Sequence, residues 1–475
     1  MHAELVVLGG GPGGYAAAFY AADEGKQVTL VEAEPRLGGT CLLRGCIPSK
    51  ALLHVARVVS EVEELEAGWG VSFGRPQFEI DKIRAGKENV IKTLSGGLKN
   101  LAKARKVNVI RARGVLQGAG ALKLEGDDAS IPEDRLLTFD DLIIATGSTP
   151  AMIRHFDIGS PRVMDSTGAL ELEDIPESML VIGGGYIGLE MGTVYAGLGT
   201  KVSVVEMADR LLPTADQDLV APLAKRLKTL FEDRIYLNTE VGSLATIGDQ
   251  IQAEFQGPGK YGVERFDRVL VSVGRRPNSQ GLGLESTRIQ LDKRGFIQTD
   301  GQMRTAEPSI FAIGDVRGEP MLAHKASHEA RTAVEAVLGH GVAFDKAAIP
   351  AVVFTDPEIA WAGLTEMEAK AQGIAYEVAS YPWVCSGRAQ ALGRTDGLTK
   401  WLVDPETEVV LGCGIVGPGA GELIAEAVLA IEMRCQVRDI TESVHPHPTL
   451  SETVMNAGEV FFGTATEIYK PKKKK

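Results

Sequence analysis

The hydrophobic and polar residues follow one pattern twice along the chain. In each copy a short apolar run leads into a glycine-rich turn, then a helix of small residues, then a second apolar run that ends in an acid. Short apolar runs bounded by turn residues are typical of buried parallel strands. The pattern therefore predicts two β-α-β units, with strands at 4–8, 28–31, 179–182 and 202–205 and helices at 15–24 and 187–197.

The glycines and acids of both units have the spacing of a dinucleotide fingerprint. The first glycine permits a tight turn, the second lets the backbone approach a pyrophosphate, and the third packs the helix on the strand. The pyrophosphate then lies at the helix N-terminus, and the acid accepts hydrogen bonds from ribose hydroxyls. The residues are Gly9, Gly11, Gly14 and Glu32 in the first unit and Gly183, Gly185, Gly188 and Glu206 in the second.

Because glycine is abundant in this chain, the spacing of glycines alone is weak evidence for a dinucleotide fingerprint. Glycine makes up 55 of the 475 residues, so chance matches to the spacing are expected. Two further matches begin at Gly257 and Gly412, but Gln280 and Cys435 stand where the acid is required. We discard both, because the acid that completes the fingerprint is missing. The chain is therefore predicted to bind two dinucleotides.

Each unit continues into another apolar run that ends in a glycine turn. The run at 141–148 contains Ala145, Thr146 and Gly147, and its counterpart in the second unit ends at Gly274. A helix is predicted at 81–105, followed by β runs to about residue 125.

A later strand, 309–313, ends in Gly314 and Asp315 and precedes a predicted helix at 321–338. The positive N-terminal end of that helix suits it to face a cofactor.

From about residue 349 the pattern changes to that of an α+β module without a phosphate loop. β runs are predicted at 351–354, 398–403 and 409–416, with one long helix at 421–433. The fold class predicted for the whole chain is therefore α/β, with two Rossmann-like dinucleotide-binding domains, a central domain and a C-terminal α+β domain. We place the domains at 1–148, 149–276, 277–348 and 349–475.

Charge and composition exclude some classes of partner. The net charge of −13 argues against nucleic acid, and the basic cluster at 472–475 is most simply a solvated tail. Residues 5–22 carry no charge, but the glycine run at 9–14 interrupts them, so we predict no membrane span. Five cysteines without metal spacing suit a reducing compartment, so we expect a cytoplasmic protein with no metal site.

Cys41 and Cys46 are the candidate redox pair. Residues five apart in a regular helix lie about 8–9 Å apart, whereas a disulfide needs a Cα separation of about 4.4–6.8 Å. The pair closes only if the turn is distorted, which Gly45 and Pro48 permit. Strained and accessible disulfides are the labile and catalytic ones. The alternative is two small buried side chains, because free cysteine is often found in the core.

His447 and Glu452 form a second candidate site near the C-terminus. His445 and His447 flank Pro446, and Pro448 follows, so both histidines are predicted to lie on a rigid turn. Glu452, at a predicted helix start, is placed to orient the ring of His447 as a catalytic base. The alternative is a structural or surface histidine, which is the commoner role.

Together these segments resemble the pyridine nucleotide–disulfide oxidoreductase family along nearly the whole chain. The family's signature parts occur in the family's order: the first fingerprint, Gly-Gly-Thr-Cys and Cys-Ile-Pro-Ser-Lys at 38–50, Ala-Thr-Gly at 145–147, the second fingerprint, Ile-Gly-Asp at 313–315, Leu-Ala-His-Lys at 322–325 and His-Pro-Thr-Leu-Ser-Glu at 447–452. The resemblance implies FAD in the first unit and NAD in the second, which the residues alone left open.

The resemblance also implies roles for individual residues. Cys46 would lie against the flavin, and Cys41 would exchange with a substrate dithiol. His447, held by Glu452, would act as the base from the partner subunit, so a homodimer is expected. The remaining implied roles are the Lys50–Glu190 pair beside the flavin, Asp315 at the ribityl chain, and cofactor contacts from Thr40, Ala145, Thr146, Gly147, Ala323 and Gly274.

The implied reaction is the oxidation of protein-bound dihydrolipoamide to lipoamide by NAD⁺. Glu206 favours NAD because a carboxylate accepts a hydrogen bond from a 2′-hydroxyl and repels a 2′-phosphate. The implied partners are lipoyl domains and E2-type subunits of 2-oxo acid dehydrogenase complexes. The alternative is another NAD(P)H-dependent flavin disulfide reductase, similar to glutathione or mercuric reductase. The sequence lacks the C-terminal vicinal cysteines that mercuric reductase would need.

Two residues depart from the usual family pattern. Pro446 replaces an alanine and is expected only to stiffen the turn. Arg44, between the two cysteines, replaces a valine. One hypothesis is that its charge stabilises a thiolate and raises the reduction potential of the disulfide. The alternative is that Arg44 points to solvent or pairs with a nearby acid.

Overall fold

The computed structural model describes residues 1–469, so residues 470–475, with the basic cluster at 472–475, lie outside the described residues. The first part of the chain contains β1 (His2–Leu8), α1 (Pro12–Asp23), β2 (Val28–Glu32), α2 (Gly39–Arg44), α3 (Cys46–Trp69), α4 (Ile80–Ala104), β3 (Asn108–Arg111), β4 (Arg113–Leu116), β5 (Ala121–Glu125), β6 (Leu136–Ile144) and β7 (Ser148–Pro150).

The first sheet has the strand order β3-β2-β1-β6-β5-β4, with β3, β2, β1 and β6 parallel. Val7 lies opposite Leu30 on one side and Ile143 on the other, and all three side chains are fully buried. Such strands are apolar throughout because helices cover both faces of a parallel sheet. The predicted first β-α-β unit is confirmed.

The second part contains β8 (Val163–Met164), α5 (Ser166–Glu171), β9 (Ser178–Ile182), α6 (Tyr186–Gly197), β10 (Lys201–Val205), α7 (Gln217–Leu230), β11 (Ile235–Tyr236), β12 (Glu240–Ile247), β13 (Gln250–Gln256), β14 (Gly262–Phe266), β15 (Arg268–Val271) and β16 (Arg275–Pro277). Its parallel sheet has the order β11-β10-β9-β15-β8. Val181 lies opposite Val204 and Leu270, which repeats the register around Val7. The second unit is therefore confirmed as a structural repeat of the first.

Two connections join the sheets. β7 and β16 pair antiparallel, with Thr149 opposite Arg276, where the chain enters and leaves the second unit. After β16 come β17 (Ile310–Ala312) and α8 (Ala323–Val337). β17 pairs parallel with β6, and α8 packs against α1, so this segment returns to the first sheet.

The C-terminal part contains β18 (Ala351–Val353), β19 (Ile359–Gly363), α9 (Glu366–Gln372), β20 (Glu377–Pro382), α10 (Gly387–Leu392), β21 (Leu398–Val403), β22 (Val410–Val416), α11 (Ala420–Glu432), α12 (Val437–Thr441) and α13 (Glu452–Phe462). Its antiparallel sheet has the order β18-β19-β22-β21-β20. Trp401 and Ile415 are fully buried on this sheet, in a core shared with α11 and α13.

Three features differ from or add to the sequence-based expectations. α3 spans 24 residues from Cys46 to Trp69, whereas no helix was predicted there. The antiparallel β12-β13-β14 sheet was also not predicted. The long helix predicted at 421–433 is present as α11, and α13 begins at the predicted helix start, Glu452, whereas the short helices α9, α10 and α12 were not predicted. The α/β class and the C-terminal α+β module are confirmed.

Candidate functional site

A cavity of about 1300 Å³ lies where the first unit meets α6 of the second. Pockets for small ligands usually measure about 300–1000 Å³, so this cavity is large enough for a dinucleotide. Its walls include the loop after β1, the ends of β2 and β6, α2, and the starts of α3 and α8. The predicted site residues that line it are Gly9, Gly11, Glu32, Thr40, Cys41, Cys46, Lys50, Ala145, Thr146, Gly147, Glu190, Asp315 and Ala323.

The two glycine turns have nearly the same backbone geometry. Gly9 and Gly183 have φ angles of 110° and 111°, which side-chain-bearing residues rarely adopt. A Cβ on Gly14 would lie 1.7 Å from the Gly9 carbonyl oxygen, and one on Gly188 would lie 2.3 Å from that of Gly183. The third glycine therefore lets each helix pack closely on its strand.

The two acids are held in the same way at the ends of β2 and β10. Glu32 accepts a hydrogen bond from the backbone N–H of Gly10 at 2.5 Å, and Glu206 accepts one from that of Gly184 at 2.7 Å. The second oxygen of each carboxylate accepts another backbone N–H, from Glu34 or Ala208. Burial raises the pKa of Glu32. Each carboxylate is therefore fixed beside its glycine turn.

The two helices that carry the cysteines meet at Gly45. α2 ends at Arg44 and α3 begins at Cys46, and both cysteines are free thiols. The Gly38 N–H donates to the Gly10 carbonyl at 2.9 Å, which ties this segment to the first glycine turn. The predicted distortion of the turn is confirmed as a break between two helices.

The environment distinguishes the two sulfurs. A hydrogen bond from the Cys41 thiol, helped by the nearby Lys50 ammonium, lowers the pKa of Cys46 to about 7. The same hydrogen bond, together with burial, raises the pKa of Cys41. A thiolate on Cys46 is therefore favoured over one on Cys41 when the pair is reduced.

Lys50 and Glu190 form an ion pair at the cavity wall. The Lys50 Nζ lies 2.8 Å and 3.1 Å from the two carboxylate oxygens of Glu190. Glu190 is buried on α6, and its Oε1 also accepts the backbone N–H of Phe354 at 3.0 Å. Lys50 belongs to α3, so the pair joins the two units beside Cys46.

Asp315 is held on a short turn between β17 and α8. Ser148 donates its hydroxyl to Asp315 at 2.5 Å, and the Arg275 Nε donates to the Ser148 hydroxyl oxygen at 2.7 Å. The neighbouring Gly314 N–H donates to Glu329 at 2.6 Å. Sequence reasoning missed Glu329, although Lys325 four residues before it on the same helix face was a usable signal.

His447 and Glu452 make the predicted contact. The His447 Nδ1 lies 2.8 Å from the Glu452 Oε1, and the Glu452 Oε2 accepts the Thr449 N–H at 2.8 Å. The His447 side chain is 77% exposed, and among the described residues of the chain it does not line the cavity. Within one chain, the structure therefore does not bring His447 to the cysteines.

Comparison with known proteins assigns the family. Residues 3–330 match the pyridine nucleotide-disulphide oxidoreductase family, and residues 349–457 match its dimerisation domain. The chain belongs to the pyridine nucleotide-disulphide oxidoreductase family. The predicted resemblance is confirmed.

Similar proteins match over almost the whole chain. A dihydrolipoyl dehydrogenase of Vibrio cholerae is 48% identical, with 100% of this chain and 98% of that protein covered. One from Haemophilus influenzae is 45% identical, with 99% of this chain and 97% of that protein covered. The crystal structure of LpdA from Mycobacterium tuberculosis has a TM-score of 0.87 at 27% identity, with 96% of this chain and 99% of that chain covered.

Family members use FAD and NAD, and the residues present fit both groups. Gly11 is the N-cap of α1 at the cavity wall, so the helix N-terminus is exposed to a pyrophosphate. Gly185 is the N-cap of α6, and a Cβ there would meet no atom within 4 Å. Five residues of the second unit do not line the large cavity within the described part of the chain, and a separate nucleotide site there stays a prediction: Gly183, Gly185, Gly188, Glu206 and Gly274.

The structure supports the pairing alternative for Arg44. The Arg44 Nη2 lies 2.6 Å from the Glu34 Oε1, and about a third of the Arg44 side chain is exposed. Both residues line the cavity. The effect of Arg44 on the reduction potential stays a prediction.

One acidic cluster has the geometry of a cation site but already holds a lysine. Asp216, Asp218 and Glu366 converge, and the Lys400 Nζ lies 2.7–2.9 Å from an oxygen of each. Lys400 is buried, so its ammonium supplies the positive charge that a metal ion would bring.

In residues 1–469, no helix is long and apolar enough to cross a membrane.

Proposed function

We propose that this protein oxidises protein-bound dihydrolipoamide to lipoamide with NAD⁺, the reaction of a dihydrolipoyl dehydrogenase. The observation that carries the proposal is the pair Cys41 and Cys46 beside Lys50 and Glu190, in a cavity that fits a dinucleotide. Relatives with this activity in their names, at up to 48% identity over the whole chain, support the same reaction.

The cysteines perform the thiol–disulfide exchange. With Cys41 and Cys46 oxidised to a disulfide, a substrate thiolate attacks the Cys41 sulfur and releases Cys46 as a thiolate. The second substrate thiol, deprotonated, then attacks the mixed disulfide, which releases lipoamide and leaves Cys41 reduced. The lowered pKa of Cys46 makes it the better leaving group, which favours attack at Cys41.

The residues around the cysteines hold protons and charge. His447, oriented by Glu452, accepts the proton of one substrate thiol, and the proton of the other ends on the Cys41 thiol, whose pKa is raised. Lys50, neutralised by Glu190, lies beside the Cys46 thiolate and stabilises it. FAD would be held in the cavity lined by Gly11, Glu32 and Asp315, where it would supply the two-electron chemistry that links the cysteine dithiol to NAD⁺. Glu206 selects a nicotinamide nucleotide with a free 2′-hydroxyl.

The assembly that we propose is a homodimer in which His447 acts on the partner's cysteines. The match of residues 349–457 to a dimerisation domain and the exposure of His447 outside the cavity support it. Lipoyl domains and E2-type subunits of 2-oxo acid dehydrogenase complexes, in the cytoplasm, are the proposed partners. The domain division at 148, 276 and 348 stays a proposal, supported by the pairing of β7 with β16.

Anaerobic reduction tests the proposed function. Dihydrolipoamide should reduce the purified holoenzyme and produce long-wavelength absorbance that Cys46→Ser abolishes. Turnover should require NAD⁺ rather than NADP⁺. Turnover with glutathione disulfide and NADPH, and none with dihydrolipoamide and NAD⁺, would overturn the proposal.

A further inference from the structure

Glu190 is a buried carboxylate whose two oxygens have different partners. The Glu190 Oε1 accepts the backbone N–H of Phe354 at 3.0 Å as well as the Lys50 Nζ at 3.1 Å. The Oε2 lies 2.8 Å from the Lys50 Nζ. A buried carboxylate must be hydrogen-bonded as well as paired. The Phe354 N–H supplies a donor that cannot rotate away.

The ring of Phe354 faces the other partner of the ion pair. The Lys50 Nζ lies 4.3 Å from the centroid of that ring. A cation within about 6 Å of an aromatic face is attracted by the negative charge of the face. The ammonium is therefore held between the Glu190 carboxylate and the Phe354 ring, with Lys50 also lining the cavity.

Phe354 belongs to the C-terminal part of the chain, whereas Lys50 and Glu190 belong to the two nucleotide-binding units. It follows β18 directly and packs against a core that includes Leu52 of α3 and Leu189 of α6. One residue therefore touches both members of the pair from a third element of the fold. A contact of this kind fixes where the ammonium lies relative to Cys46.

We infer that Phe354 is a positioning residue that holds the Lys50 ammonium against Glu190 and beside Cys46. The inference deepens the proposed function, because it takes Lys50 as the group that stabilises the Cys46 thiolate. The competing explanation is that Phe354 only fills space in the shared core. The two explanations differ in whether the charge on the ring face matters.

Three variants of Phe354 separate these explanations. Phe354→Leu removes the ring, and a ring-fluorinated phenylalanine at 354 keeps the shape but withdraws negative charge from the face. Phe354→Tyr keeps an electron-rich face and is the conservative rescue. The backbone N–H is present in all three, so the comparison isolates the ring. Val353→Ala is the matched control, since Val353 is buried in the same core and has no aromatic ring.

The measurement is the pH dependence of the long-wavelength absorbance of the reduced holoenzyme. Reduction with dithiothreitol makes this test independent of the natural substrate. The Leu and fluorinated variants should decrease the apparent ionisation constant of Cys46 by about two- to five-fold, whereas Phe354→Tyr and Val353→Ala should leave it unchanged. Thermal unfolding checks that each variant is folded.

Each outcome decides the inference. If the fluorinated variant has the same ionisation constant of Cys46 as wild type, the inference is overturned. This holds even if the constant changes in Phe354→Leu, because lost packing would then explain that change. A shift in Val353→Ala as large as that in Phe354→Leu would overturn it as well. Failure of the proposed function appears separately, as wild-type enzyme that dithiothreitol reduces and dihydrolipoamide does not.

Discussion

Arg44, which lies between the two redox cysteines, is paired with Glu34 at the end of the first β-α-β unit. The Arg44 Nη2 lies 2.6 Å from the Glu34 Oε1. Glu34 comes two residues after Glu32, the acid of the first fingerprint, so the pair connects the cysteine helix to the nucleotide-binding loop. The charge of Arg44 is therefore largely balanced within the site.

The first prediction follows from this balance. Arg44→Val should lower the reduction potential of the disulfide by no more than about 20 mV, because part-exposed ion pairs contribute at most about 1 kcal/mol. Glu34→Gln should raise the potential, since it leaves the Arg44 charge free to stabilise the reduced, thiolate form. Redox titration against a dye of known potential measures both. A large fall in Arg44→Val, with no change in Glu34→Gln, would contradict the pairing.

The second prediction concerns the pH at which Cys46 ionises. Its pKa in the folded protein is about 7, below the ordinary value of a thiol, so the thiolate is present above that pH and is protonated below it. The long-wavelength absorbance of the reduced enzyme should therefore rise with pH, with a midpoint near 7. Lys50→Met should move the midpoint upward, because the ammonium favours the thiolate. Lys123→Met, at an exposed lysine on β5, is the control and should leave the midpoint in place.

The third prediction concerns Glu329, the buried carboxylate on α8. Glu329 is fully buried and accepts the Gly314 N–H at 2.6 Å, with Lys325 at 2.7 Å and Arg317 at 2.5 Å. Glu329→Gln leaves the buried Lys325 ammonium unpaired, which costs about 3 kcal/mol. It should also loosen the turn that presents Asp315.

Two measurements check the Glu329 variant. The midpoint of thermal unfolding should fall, and bound FAD should dissociate faster than from wild type. Glu335→Gln, on the more exposed face of the same helix, should change both far less. Equal effects in the two variants would show that Glu329 has no special part in holding the turn.

The repeated β-α-β units could be predicted from the sequence because their signals are local. Strand, glycine turn, helix and acid lie within about thirty residues of each other, and each type of residue is required by backbone geometry or burial. The contact between His447 and Glu452 is equally local, because both lie around one turn.

The features that were missed depend on contacts between distant segments. Phe354 reaches Lys50 and Glu190 only because the C-terminal sheet folds back on both units. α3 was not predicted because Gly45 and Pro48 are turn-forming residues, although the apolar face of the helix continues through Leu52 and Ala56. Pro48 is compatible with a helix there because it lies in the first turn, where backbone N–H groups have no partner within the helix.

The last prediction tests whether two chains build each site. Cys46→Ser and His447→Gln should each be inactive as homodimers. If His447 serves the partner's cysteines, a mixed dimer contains one site with both defects and one with neither. Random mixing makes half of the dimers mixed, and each has one intact site of two, so co-expression should restore about a quarter of wild-type activity. Purification through two different affinity tags, one on each variant, isolates the mixed dimer, which should have about half of wild-type activity. If each chain used its own His447, both preparations would remain inactive, since neither chain carries an intact pair.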